Sequence, residues 1–109
     1  MIVQKIIFTD RSKSSSSIDQ FYYEGLENKL QGRLGTGVRN LSADFIRQGK
    51  ILDRFLMLNK MGNSLETFTI FKDRNCFEEF NDHPISLAAK KFFSDKEWDI
   101  EAQIYHLND

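Results

Sequence analysis

Two segments, "KILDRFLMLNK" at 50–60 and "SLETFTIFK" at 64–72, are separated only by "MGN". Both are rich in aliphatic, aromatic and β-branched residues, and both are too short to make good amphipathic helices. A glycine-containing link of this length between two such runs is a hairpin signature, so an antiparallel strand pair is expected at the centre of the chain. With 109 residues there is material for about one domain, spanning 1–109, and for a single core.

The flanking elements follow from local chemistry. "IVQKIIF" (2–8) reads as a first strand, and "TDRSKSSSS" after it as a low-complexity surface loop that includes Ser14–Ser17. Ser17 and Gln20 form a capping box that starts a helix near Ile18. Its apolar face is Ile18, Phe21, Tyr22, Leu26 and Leu30, and the glycines of "GRLGTG" are expected to end it. "LSADFIRQG" suits a short helix capped by Ser42 and stopped by Gly49, and alternation also allows a strand over 41–48. Asp73 is the cap of a further helix that "NDHP" divides in two. Phe77 and Phe80 form the apolar face of the first piece, and Leu87, Ala88 and Phe92 that of the second. "DIEAQIYHL" (99–107) alternates as a last strand.

Strand, helix, strand, strand, helix, strand is the split pattern of an α+β ferredoxin-like fold: βαββαβ, with a four-stranded antiparallel sheet and helices on one face. A sheet with one wet face should alternate apolar and polar residues. Here Ile2, Ile6 and Phe8 oppose Val3 and Ile7, while Ile51, Phe55 and Met57 oppose Leu52, Leu56 and Leu58. Helices cover only one face, so the other is expected to be buried in a homodimer, sheet against sheet. The formal charge of −1, with no basic stripe, argues against nucleic-acid binding. A single cysteine, Cys76, excludes an internal disulfide and any cysteine-rich metal site. No signal segment or membrane-length apolar run is evident, so a cytoplasmic protein with no membrane partner is expected.

The stretch "LETFTIFKDRNCFEEFNDHPISLAAKKFF" resembles the antibiotic-biosynthesis-monooxygenase-like domains of the dimeric α/β-barrel superfamily, in their third strand, the turn after it and a helix carrying a histidine. The resemblance implies a cofactor-independent monooxygenase acting on a small aromatic or quinone-like substrate, in an apolar pocket between sheet and helices. Some members of the family degrade haem, and others have no known activity. The haem-degrading branch has an asparagine on the first strand, a tryptophan on the third and a histidine on the second helix. Gln4 is the nearest analogue of the first, Phe71 replaces the second, and His83 is offset from the third, so haem degradation ranks behind the oxygenase. The alternative of a different class is a non-catalytic ligand-binding or structural dimer of the same fold.

Within that reading His83 is either the general base or merely the cap of the second helical piece, since Pro84 forces it out of helical geometry. Tyr22, on the apolar helix face, is the candidate orienting donor, with a core tyrosine as the plain alternative. Asp53 and Arg54 interrupt an apolar strand on opposite faces, and a buried charge must be paired or functional. Asp53, Phe71 and Asn81 are the candidate substrate contacts. Cys76 suits inert packing, and Trp98 suits an anchor for the helix end. His106 is expected to be packed or dimer-facing, and the spacing of histidines and carboxylates offers no metal site.

Overall fold

The computed structural model describes residues 1–10, 33–59, 64–95 and 98–107. The expected helix over 18–30, its capping box, Tyr22 and the Ser14–Ser17 loop lie outside the described residues. The elements are β1 (Ile2–Asp10), α1 (Arg33–Arg47), β2 (Ile51–Asn59), β3 (Ser64–Phe71), α2 (Arg74–Asn81), α3 (Pro84–Ser94) and β4 (Trp98–His106). The strands form one sheet in the order β2-β3-β1-β4, with every neighbour antiparallel. This is the expected ferredoxin-like arrangement, and the hairpin β2–β3 is present.

Three caps show how local sequence sets the helix ends. Gly49 takes φ +73°, its amide donates to Ile46 O at 3.0 Å, and the amide of Lys50 donates to Phe45 O at 2.9 Å. That pair of bonds is a Schellman stop, which glycine adopts without steric cost. Asp73 Oδ1 accepts from the amide of Cys76 at 2.9 Å and starts α2. His83 Nδ1 accepts from the amide of Ile85 at 3.1 Å and starts α3, with Pro84 in the first turn.

Three expectations change. The "LSADFIRQG" segment is helical, but it is the end of a longer helix that already includes Gly35 and Gly37 of "GRLGTG". Gly37 has a packing reason to be there: a Cβ at this position would come within 3.2 Å of Ile85 Cδ1 on α3, so glycine lets the two helices approach closely. On α3 the inward residues are Ile85, Ala89 and Phe93, with Phe92 partly buried, whereas Leu87 and Ala88 are exposed. On β2 a bulge between Ile51 and Asp53 shifts the alternation, so Ile51 lies opposite Phe71 on the same face as Leu56, not with Phe55 and Met57.

The helices cover one face of the sheet through two apolar clusters. One joins Ile2, Ile51 and Phe71 to Leu41, Phe45 and Cys76, and the other joins Phe8 and Leu65 to Phe93. Trp98 packs edge-on against Phe93, with ring centroids 6.0 Å apart, and anchors the end of α3 as expected. Between the clusters the same face turns polar. Gln4, Thr69 and Arg54 are directly opposite one another on three neighbouring strands, with Thr67 in the next row.

Candidate active site

Over that polar band lies a cavity of about 70 Å³. Its apolar walls come mainly from Ile6, Phe8, Phe80, Ala89, Phe93 and Ile100, and its polar groups are Arg54, Thr67, Asn81, Ser86 and Lys90. The position follows from the fold: the two clusters pack the ends of the sheet–helix interface and leave its middle open. At roughly 10–15 Å³ per water, the space admits several waters or part of a small ring.

Asn81 is anchored in the wall from several sides. Gln4 Nε2 donates to Asn81 Oδ1 at 2.9 Å, while Asn81 Nδ2 donates to Gln4 Oε1 at 3.1 Å and to Phe77 O at 2.9 Å. Lys90 Nζ donates to the same Oδ1 at 3.4 Å. Both amide hydrogens and both lone pairs of Asn81 are therefore engaged, which makes it a fixed strut that orients Lys90. The Gln4 and Asn81 side chains are 4% and 9% exposed, so the pair replaces hydrogen bonds that water would otherwise supply.

The other expected site residues are not brought together here. Phe71 is 0% exposed and belongs to the core, 5.5 Å from Phe77 and 5.6 Å from Phe80 between ring centroids. Asp53 is exposed beside Phe55 on the opposite face of the sheet, where its carboxylate accepts from the amide of Arg54 at 2.8 Å. His83 is a half-buried cap outside the cavity wall. Its Nδ1 lone pair is committed to Ile85, and a neutral ring in that arrangement carries its proton on Nε2, so it offers a donor and not a base. The geometry therefore favours the cap over the base. Cys76 is buried, and that burial, followed by the Asp73 carboxylate, raises its thiol above the ordinary range, as suits an inert packing residue. His106 is exposed on the edge strand β4.

Lys90 and Gln4 were not among the expected contacts, and Arg54 was noted only as an interruption. Ser86, Ala89, Lys90 and Phe93 recur at intervals of three, four and seven, one stripe of a helix, and this spacing was the signal available for Lys90. Arg54 reaches the cavity face only because of the bulge at Leu52, for which the strand pattern gives no sign.

No family model and no curated protein matches the chain. Among solved structures it is similar to SnoaB, a cofactor-independent oxygenase from Streptomyces nogalater, in two crystal structures, one of them of a mutant. The TM-scores are 0.60 and 0.61, at 13% identity, covering 99% of this chain and 93% of the other. It is likewise similar to Rv0793 from Mycobacterium tuberculosis, with a TM-score of 0.63 at 13% identity, covering 100% and 97% of the two chains. Among the described residues no helix is long and apolar enough to cross a membrane. The likeness runs the length of the chain, and the chain shares the α+β ferredoxin-like fold of these structures.

Proposed function

We propose that this chain is a cofactor-independent monooxygenase that takes a small aromatic or quinol-like substrate into the cavity between sheet and helices. The observation that carries the reading is the cavity itself, apolar in its walls and cationic at Arg54 and Lys90. In this chemistry a substrate carbon bearing two hydrogens loses a proton, and the resulting carbanion gives an electron to dioxygen. The radical pair joins as a hydroperoxide, which loses water to leave a carbonyl. One oxygen atom stays in the product, the other leaves as water with the two substrate hydrogens, and the substrate supplies all the electrons. The protein's part is to exclude bulk water and to stabilise the anion with fixed positive groups.

Oxygen uptake against a panel of anthrones and quinols tests this. Uptake above the rate without protein, with one atom of labelled dioxygen appearing in the product, is expected, and uptake no faster than spontaneous oxidation across the panel refutes it. A second reading, a binding protein without catalysis, is favoured by the engagement of His83 in a cap and of Asn81 in its amide pair. Tight binding of a panel member without oxygen uptake would establish that reading.

The proposal includes a homodimer through the open sheet face. Phe55 and Met57 are 42% and 47% exposed, Tyr105 is 50% exposed, and Phe55 stacks on Phe68 with centroids 5.0 Å apart. An apolar face of this kind, opposite the helices, supports a partner sheet. Native mass spectrometry should give twice the chain mass, and a monomer at micromolar concentration rules the dimer out. A reducing compartment such as the cytoplasm suits the lone unpaired cysteine.

A further inference from the structure

We infer that the Thr67 hydroxyl recognises an oxygen atom on the ligand, so that the cavity selects a ring edge bearing a hydroxyl or carbonyl oxygen, as in a phenol, quinol or quinone. A hydrocarbon edge of the same shape is disfavoured. This rests on the reading of the cavity as the substrate site and adds which residue recognises the substrate, and through which atom.

The argument begins with the hydrogen-bonding capacity left in the polar wall. Asn81 has both amide hydrogens and both lone pairs engaged by Gln4, Phe77 O and Lys90. Lys90 is exposed, so water competes for its ammonium. Thr67 differs from both. It lies on β3 directly opposite Ile6 of β1, and the two residues line the sheet side of the cavity. Thr67 is 3% exposed, and its oxygen is not sealed off from the cavity. Among the described residues no hydrogen bond engages that hydroxyl. One hydrogen and two lone pairs are therefore left to meet what enters the cavity.

Size and desolvation decide what suits that position. A space of about 70 Å³ admits water or one edge of a ring. A hydrocarbon edge placed there deprives the hydroxyl of the bond that water gives it, and a polar group stranded in apolar surroundings opposes binding. A ring oxygen supplies the bond and keeps the apolar contact with Ile6, Ala89 and Ile100. Because a hydroxyl both donates and accepts, it serves a phenolic O–H and a quinone C=O alike. The same side chain thus suits the reduced and the oxidised form of one ring.

Phenol and toluene, alike in shape, are the probes. Binding to the full-length protein is followed by NMR through the methyl groups of Ile6, Ala89 and Ile100. Thr67→Val keeps the branched shape and removes the hydroxyl; it should weaken phenol about three- to tenfold and leave toluene unchanged or tighter. Thr67→Ser, which keeps the hydroxyl, should hold the phenol-to-toluene ratio within about twofold of the parent, and so should Ser86→Ala, whose half-buried hydroxyl lies on α3 across the cavity. Urea unfolding without ligand separates a ligand-facing hydroxyl from a structural one. Thr67→Val should leave the midpoint unchanged or raise it, whereas a clear fall, or failure to fold, shows that the hydroxyl holds the protein together and overturns the inference. Equal effects of Thr67→Val on phenol and toluene, or loss of the ratio in Ser86→Ala instead, also overturn it while leaving the cavity as a ligand site. Absence of any shift at those methyls with either probe overturns both the inference and the site.

Discussion

Replacing Asn81 by leucine removes one half of the buried amide pair and leaves the other half stranded. Gln4 would keep an N–H and a carbonyl oxygen at 4% exposure with no partner at 2.9 or 3.1 Å, and Phe77 O would lose its side-chain donor. The two stranded groups of Gln4 cost about 1–3 kcal/mol each, and leucine returns about 1 kcal/mol through added apolar burial, so the net loss should be about 1–5 kcal/mol. In a domain of this size that lowers Tm by roughly 5–30 °C. Gln4→Met strands the facing atoms of Asn81 but leaves its bonds to Phe77 O and Lys90, so its cost should be smaller, about 1–3 kcal/mol. The double variant replaces both partners with apolar groups and should cost about 1–3 kcal/mol less than the sum of the singles. Urea unfolding of all four proteins at one fixed protein concentration gives the coupling energy, the fixed concentration keeping any dimer linkage constant. Additivity within about 0.5 kcal/mol would show that the two amides do not depend on each other, and the description of Asn81 as a strut would fail.

Three further outcomes are expected. His83→Ala should lower stability by about 0.5–2 kcal/mol through loss of the α3 cap, and His83→Asn should restore most of it, with oxygen uptake unchanged in both; a hundredfold fall in uptake by well-folded His83→Asn would return the ring to the role of base. The bond from the amide of Cys76 holds the Asp73 carboxyl below its ordinary 3.8, so the cap's ionic contribution is complete above that pH and fades as pH falls through the lower native value. Asp73→Asn, which keeps a capping oxygen, should therefore differ most from the parent near pH 7 and converge with it below about pH 3.8 in urea midpoints; a gap that widens in acid contradicts this sign. Cys76 should react with a disulfide reagent at least about a hundredfold more slowly in the folded than in the urea-unfolded protein, and equal rates would mean that the thiol is not packed as described.

What could be seen in the sequence depended on the range of the interaction responsible. The hairpin, the Asp73 cap, the Gly49 stop and the break at His83–Pro84 are each decided within a few residues, and each is present. The helical place of Gly37 was not legible, because a glycine's local meaning is a stop, whereas Gly37 is set by the approach of Ile85 from a distant helix. The inner face of α3 misled because two apolar stripes compete on it, and the ring of Phe8, 4.8 Å from that of Phe93, belongs with the stripe of Ile85, Ala89 and Phe93. The site was least legible. Its polar band exists only when Gln4, Thr69 and Arg54 are aligned across three strands, and the strongest candidates by residue type, His83 and Asp53, are a cap and an outer-face carboxylate.

The bulge at Leu52 acts as a phase switch for β2. Residues before and after it obey the same two-residue alternation, but with opposite parity, and the switch falls between Ile51, which is almost wholly buried, and Arg54. Insertions and deletions on either side of this point are therefore not equivalent to those in an ordinary strand. Removing Leu52 would absorb the extra residue into a regular strand, with Ile51 and Arg54 still facing the helices and Asp53 still facing outward. The point where the strand departs from its pattern is thus the one place in β2 where losing a residue leaves both faces of the sheet as they are, whereas a loss elsewhere in the strand exchanges them on one side of it.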